Sequence, residues 1–378
     1  MRIVVAPTSF KGSIGVIDAC IAIIRGIREV YPQVDITQFP LSDGGDGFLE
    51  SLLFNCGGEF IDAVITDPHE RRRDTVCGLL KTGIGIVEMA KASGLALLSE
   101  NEKNPLLTTS YGTGELINVL VKRGVKKIIV GVGGSATIDM GIGCMQAIGV
   151  RFLDEVGKDV GYGGREIARV KGIDRSQIRE DMRDIELIIA ADVKNILLGS
   201  EGAVLTYGKQ KGLVSKETNY MEDAIKNIAD VIKKEFGKDV TAVRGGGAAG
   251  GIAAGLYGVL DAEIRDGIDI FFEITGFRGK TKNKDLIITG EGRFDSQTGY
   301  GKVVQRILLF GEKNNIFVIV LAGEITEKAE KHFRKGKSFG ISITPKNITQ
   351  EEAKKRVEGL LQEGTVKALY NLRSEVGS

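Results

Sequence analysis

The chain has 378 residues, a length that suits two or three domains of about 150 residues each, and its 51 Lys plus Arg against 50 Asp plus Glu leave a formal net charge of +1. That balance lacks the basic excess of a nucleic-acid binder, and no apolar run approaches the roughly 18 residues needed to span a bilayer. Hydrophobic residues at 42% and charged residues at 27% are the proportions of an ordinary globular protein with a substantial core.

Arg2-Ile3-Val4-Val5-Ala6 reads as a first strand rather than a signal peptide, and residues 7–12 read as a turn-rich loop. Ser13 is expected to cap a helix whose stripe is Ile17, Cys20, Ile21, Ile24 and Ile27, and Pro32 to end it. Residues 34–39 predict a second strand, followed by the loop Ser42-Asp43-Gly44-Gly45-Asp46-Gly47 and another helix. Residues 60–66, 73–80 and 83–89 are closely spaced strand candidates and predict an antiparallel meander. A helix over 115–122 and strands over 127–130 and 185–190 come next. A long amphipathic helix then carries Met221, Ala224, Ile225, Ile228 and Ile232, with Gly237 just past its end. Residues 285–289, 316–321 and 339–343 are continuous apolar runs, as in strands buried on both faces. The pattern predicts α/β architecture: one doubly wound parallel sheet from residues 1–58 plus 265–378, and an inserted mixed α/β domain over 59–264.

Cys20, Cys56, Cys77 and Cys144 form no C-x-x-C pair and read as reduced thiols of a cytoplasmic protein. Only two histidines occur, His69 and His332, which excludes a His-rich metal site and argues against a Ser-His-Asp triad. Chemistry must therefore rest on carboxylates, lysines, hydroxyls and backbone amides. Glycine, at 52 residues, is about twice as frequent as usual and gathers after apolar runs, at 131–134, 245–251 and 290–292. Such loops let backbone amides approach a phosphate; they also serve tight turns and close packing. The P-loop pattern is absent, because Val303 follows Gly301-Lys302 and Ser296 holds the upstream glycine position. Gly245, Gly247 and Gly250 match G-x-G-x-x-G, and Gly131, Gly133 and Ala136 match its relaxed form, so a dinucleotide fold is a second reading.

Charged residues follow four of the strand candidates: Lys11; Asp43 and Asp46; Asp192, Lys194 and Asn195; Glu291, Arg293 and Asp295. Ligands of open α/β sheets bind outside the carboxyl ends of strands, so these residues point to one convergent site. Acids for a divalent metal, a base for a hydroxyl and cations for phosphate are the parts of phosphoryl transfer. Singly, each residue also reads as a helix cap or an Asx turn. Arg71-Arg72-Arg73 and Lys233-Lys234-Glu235 read as solvated faces.

Over essentially its whole length the chain resembles the bacterial glycerate kinase family that includes the glycerate 2-kinases. The resemblance rests on Ala6-Pro7-Thr8-Ser9-Phe10-Lys11-Gly12-Ser13, Ser42 to Gly47, Glu88-Met89-Ala90 with Ala92-Ser93-Gly94-Leu95, Thr108 to Ile117, and Gly133-Gly134-Ser135-Ala136-Thr137. It continues through Asp192-Val193, Gln210-Lys211-Gly212, Gly245 to Gly251 and Thr289 to Thr298. It implies a soluble kinase that uses ATP to phosphorylate D-glycerate, mainly at the 2-hydroxyl. It also implies a flavodoxin-like domain from both chain ends plus an inserted domain, with the active site in the cleft between them. The family usually has Asp at Thr8, Asn at Ile138 and Pro at Ile196, departures that leave a related hydroxy acid or the 3-hydroxyl open.

On this reading Asp192 is the base for the substrate hydroxyl, and Lys11 and Lys211 neutralise phosphate. Gly133, Gly134, Ser135 and Thr137 hold the nucleotide phosphates, with Gly246, Gly247 and Glu291 nearby. Arg293 grips the glycerate carboxylate, with Ser9, Phe10, Asn195 and Gln297 as further substrate contacts. Asp43 and Asp295 are expected ligands of Mg²⁺. The expected partners are glycerate and ATP, with no nucleic acid or membrane, and a homo-oligomer is left open. An NAD(P)-dependent oxidoreductase built on the Gly245 loop, with Glu263 for the ribose, and a non-catalytic sensor of a small anionic metabolite are the alternatives.

Overall fold

The first run forms β1 (Arg2–Val5), in which Ile3, Val4 and Val5 are fully buried. The helix that follows spans Val16–Val30 and buries Ala19, Cys20, Ile23 and Ile27, but Gly15 rather than Ser13 stands at its N-cap. Ser13 is used otherwise: its N–H donates to the Phe10 carbonyl at 2.8 Å, closing a turn in which Phe10 and Ile14 form a bridge. β2 is Asp35–Gln38. The computed structural model describes residues 1–295 and 303–376, and the chain divides into two units. One comprises Met1–Asp43, Glu50–Asn55 and Phe271–Ser378, the other Gly44–Leu49 and Cys56–Ile270.

The second unit holds β3 (Gly58–Thr66), β4 (Arg72–Leu80), β5 (Ile84–Glu88) and β6 (Lys127–Gly131). It continues with β7 (Arg151–Leu153), β8 (Gly172–Asp174), β9 (Glu186–Ala191) and β10 (Glu263–Asp266). β7 and β8 form a separate antiparallel ribbon, and the other six make one sheet in the order β10-β9-β6-β5-β4-β3. The expected meander forms, β3 with β4 and β4 with β5; beyond it β5, β6, β9 and β10 run parallel. β3 alternates buried and exposed residues along its second half, whereas β6 is buried on both faces after Lys127. The amphipathic helix spans Thr218–Phe236, buries Met221, Ala224, Ile225, Ile228 and Ile232, and stops at Gly237, whose φ of 70° is left-handed.

Back in the first unit, β11 (Leu286–Phe294), β12 (Phe317–Ile325) and β13 (Ser338–Ser342) join β1 and β2 in an all-parallel sheet ordered β13-β12-β11-β1-β2. Numbered within this sheet the order is 2-1-3-4-5, the flavodoxin-like order, with its switch point between β1 and β11. Residues 290–293, expected as a loop, are extended. The ladder outlasts the apolar run, with Gly290 paired to Leu321 and Arg293 to Glu324. All four cysteines are free thiols, and no helix among the described residues is long and apolar enough to cross a membrane.

Candidate active site

In the second unit, the Gly44–Gly45 turn, the loop after β6 and the carboxyl end of β9 touch through backbone. Gly133 donates its N–H to the Gly44 carbonyl at 3.0 Å, and a Cβ at Gly133 would lie 2.5 Å from Gly45 Cα. A Cβ at Gly44 would lie 2.7 Å from the Ala190 carbonyl oxygen. These glycines are required because main chain packs directly on main chain. Gly134 has a φ of 72°, so the loop after β6 turns where side-chain-bearing residues rarely do.

Lys211 is the centre of this region. It is buried at 2% exposure, and its Nζ donates to Ser135 Oγ and to the Thr137 carbonyl, both at 2.8 Å. Burial pulls its pKa down to about 7, an effect that the charge of Asp139 partly opposes. Thr137 is fully buried and its Oγ1 has no hydrogen-bond partner among the described residues. Three residues expected at a phosphate site, Ser135, Thr137 and Lys211, are thus brought together from positions more than 70 apart in the chain.

Two buried carboxylates, Asp139 and Glu88, lie outside the set of site residues that the sequence predicts. Asp139, 1% exposed, accepts from Ser110 N at 2.9 Å, Ser110 Oγ at 2.7 Å and Gly141 N at 3.1 Å, which ties the loop after β6 to the Thr108–Ser110 block. Glu88, the last residue of β5 and 3% exposed, accepts from Leu49 N at 3.1 Å. Their signal in the sequence is an acid embedded among small or apolar residues, a position where an unpaired charge would be prohibitive.

Asp192 and Asn195 follow β9. Burial, together with the charge of Asp192, raises the pKa of Tyr207. Asn195 braces this loop: Tyr207 donates its hydroxyl to Asn195 Oδ1 at 2.8 Å, and Asn195 Nδ2 donates to the Glu201 carbonyl at 2.7 Å. Gly247 donates its N–H to the Asn195 carbonyl at 3.0 Å, and a Cβ there would lie 2.3 Å from the Ile196 carbonyl oxygen. A Cβ at Gly246 would lie 2.9 Å from the Val243 carbonyl oxygen. The Gly245 motif does not follow a strand, and its helix, Ala248–Leu260, has left-handed residues at Ala249, Gly250 and Gly251. This is not the strand–turn–helix of a dinucleotide fold. Glu263 opens β10 and is exposed. Ile138 is fully buried in the core of this unit, and Ile196 is exposed.

In the first unit, the loop after β1 runs along β11 at the switch point. Thr8 donates both its N–H, at 2.8 Å, and its Oγ1, at 3.1 Å, to the Gly290 carbonyl. Phe10 is 2% exposed, and its ring approaches the α-carbon side of Gly290 from the core, so any ligand contact there falls to its backbone. Ser9 is half-buried and Lys11 exposed. Glu291 is half-buried in β11. Arg293, 60% exposed, has its Nε 3.8 Å from Asp295 and 3.6 Å from Glu324. Among the described residues no group of three or more His, Cys, Asp or Glu side chains is arranged to hold a metal, so Asp43 and Asp295 lie in no preformed cage. Gln297 lies outside the described residues.

Residues 3–372 match the model of the glycerate kinase family. A glycerate kinase of Halalkalibacterium halodurans is 37% identical over 362 residues, covering 96% of this chain and 95% of that one. A glycerate 2-kinase of Escherichia coli is 36% identical over 354 residues, covering 93% of each chain. A crystal structure from Salmonella typhimurium LT2 matches with a TM-score of 0.85 at 34% identity over the whole of both chains.

Proposed function

The chain belongs to the glycerate kinase family, and from that premise we propose that it transfers the γ-phosphoryl group of ATP to the 2-hydroxyl of D-glycerate, releasing 2-phosphoglycerate and ADP. The observation that carries the reading is the buried Lys211 bonded to Ser135 and Thr137 in the glycine-rich loop at the carboxyl end of β6. A cation and backbone amides held rigidly where phosphate charge must be met are what phosphoryl transfer asks of a protein, because its transition state needs positioning and neutralisation rather than covalent help. The Escherichia coli relative, a glycerate 2-kinase by name, supports the 2-position.

Within this reading the loop amides of Gly133 and Gly134 and the hydroxyl of Thr137 hold the nucleotide phosphates, and Lys11 and Lys211 offset their charge. Glu291 is a further polar group for the nucleotide, whereas Gly246 and Gly247 serve the close packing of their loop on the Val243 and Ile196 carbonyls. Asp192 accepts the proton of the attacking hydroxyl. Arg293 takes the glycerate carboxylate in a fork an ammonium cannot offer, and Ser9 and Asn195 supply further polar contacts. Asp43 and Asp295 suit Mg²⁺, an ion usually held by one or two carboxylates together with substrate phosphates. Bound there, the metal would supply further neutralisation of β- and γ-phosphate charge.

The test is ATP turnover by the purified chain with Mg²⁺ and D-glycerate, with phosphoglycerate isomers resolved by phosphorus NMR. Accumulation of the 2-isomer is expected. The 3-isomer alone would overturn the regiochemistry, and folded protein that consumes no ATP with glycerate would overturn the reading. Asp192→Asn is expected to retain nucleotide binding and lose turnover by at least a hundredfold, the scale of a lost general base.

A further inference from the structure

In the first unit a cavity of about 100 Å³ opens between the helix Val303–Asn314 and the segment that leads into β13. Leu308 and Glu312 line the helix side; His332, Arg334, Lys337 and Ser338 line the other. None of these residues has a part in the proposed phosphoryl transfer. The volume corresponds to roughly three waters, which is room for one tetrahedral oxyanion and its nearest groups.

Donors gather on the side that leads into β13: two permanent cations, Arg334 and Lys337, with His332 and Ser338, while the helix side carries Leu308 and one carboxylate, Glu312. The Nε2 of His332 is shut off from solvent with no hydrogen-bond partner among the described residues, an arrangement that buried polar groups rarely tolerate without a ligand or water. Its ring is fixed edge-on to Phe294, with centroids 5.9 Å apart at 62°. Arg334 spends one N–H on the Lys331 carbonyl at 2.9 Å and Lys337 one on Asn315 Oδ1, leaving further donors on each. Ser338 Oγ accepts from Arg334 N at 3.0 Å and still has a proton to give.

We propose that this cavity is a binding site for a small oxyanion, a phosphate or the phosphoryl group of a small phosphomonoester, held by His332, Arg334, Lys337 and Ser338. Burial and the charges of Lys331 and Arg334 hold the His332 imidazole below its ordinary pKa. A bound dianion offsets those charges and that of Lys337, outweighs the repulsion of Glu312, and draws a proton onto the ring.

The chain has only two histidines, so the full-length protein labelled in its imidazoles gives two assignable NMR signals, His332 being identified by its loss in His332→Gln. Titration with inorganic phosphate, and separately with glycerol phosphate, is expected to move the His332 signal saturably at millimolar ligand. The His69 signal, whose Nε2 is held on the Glu102 carbonyl oxygen at 2.7 Å, stays in place and reports an intact fold. The double variant Arg334→Gln, Lys337→Gln is expected to weaken binding roughly tenfold or more, as when charge-assisted hydrogen bonds are lost. Tighter binding of the ester would assign the Leu308 wall to its carbon skeleton, and equal binding would assign the phosphoryl group alone. A shift that grows linearly without saturating, or one unchanged in the double variant with His69 undisturbed, would overturn the site.

Discussion

Lys211 Nζ reaches Ser135 Oγ at 2.8 Å across 76 positions of the sequence, and the same ammonium takes the Thr137 carbonyl. One buried cation therefore fixes both arms of the loop after β6. Burial lowers its pKa to about 7 and the charge of Asp139 opposes that fall, so the amine is about half protonated at neutral pH.

Lys211→Met is expected to lower kcat by roughly a hundredfold to a thousandfold, the cost of losing one preorganised electrostatic partner. If the protonated amine is the working form, kcat/KM for ATP falls as pH rises through about 7, and the variant lacks that limb. Stability moves the other way. Between pH 7 and 10.5 the unfolded chain keeps a proton on Lys211 that the folded chain has released, so this residue's contribution to stability rises with pH across that window. Parallel pH–rate and thermal-unfolding profiles of wild type and Lys211→Met check both signs; a wild-type basic limb that survives in the variant would assign it to another group.

The same carbonyl has a second neighbour. A Cβ at Gly250 would lie 2.1 Å from Thr137 O, and Gly250 has a φ of 71°, beside Ala249 at 52°. Gly250→Ala must therefore displace Thr137 and pay for a left-handed alanine. A loss of about 2–4 kcal/mol is expected from overpacking together with backbone strain. Chemical denaturation measures it, and a loss under 1 kcal/mol would mean that the clamp on Thr137 yields easily.

The resemblance leads one to expect aspartate where Thr8 stands, and the structure gives the Thr8 hydroxyl an occupation: it donates to the Gly290 carbonyl at 3.1 Å. Thr8→Val is expected to cost about 1 kcal/mol, one net hydrogen bond, while leaving the kinetic constants within about threefold. Thr8→Asp would set a carboxylate against that carbonyl and is expected to destabilise more. A large kinetic loss in Thr8→Val with unchanged stability would give the hydroxyl a role in the reaction.

Much of this is legible in the sequence. Continuous runs at 3–6, 285–289 and 316–321 predict strands buried on both faces, and their position at the two chain ends predicts a shared sheet. The glycine-rich segments were recognisable as loops, but not which of them serve packing. Gly246 and Gly247 read like a nucleotide motif, yet their missing side chains make way for the Val243 and Ile196 carbonyls, contacts that depend on distant parts of the chain. The sequence places Arg293 in a loop because the strand candidate ends at Thr289; backbone pairing with β12, which no side-chain pattern encodes, carries the strand on to Phe294. Asp139 and Glu88 escaped for a related reason. Their burial is set by partners at Ser110 and Leu49, far along the sequence.

That extension of β11 gives Arg293 a firm base. Its neighbours Asp295 and Glu324 approach Nε at 3.8 and 3.6 Å, near enough to orient the guanidinium electrostatically but too far to consume its donors. A glycerate carboxylate can therefore be met by a charged fork whose donors are largely unspent among the described residues. Arg293→Lys keeps the charge and loses the bidentate geometry, so KM for glycerate is expected to rise about tenfold with kcat nearly constant, the signature of lost uniform binding. Arg293→Ala is expected to raise it by about a hundredfold. KM for ATP should stay within about twofold in both variants. If the ATP constant rises while that for glycerate does not, Arg293 acts on the nucleotide, and the carboxylate must be held elsewhere.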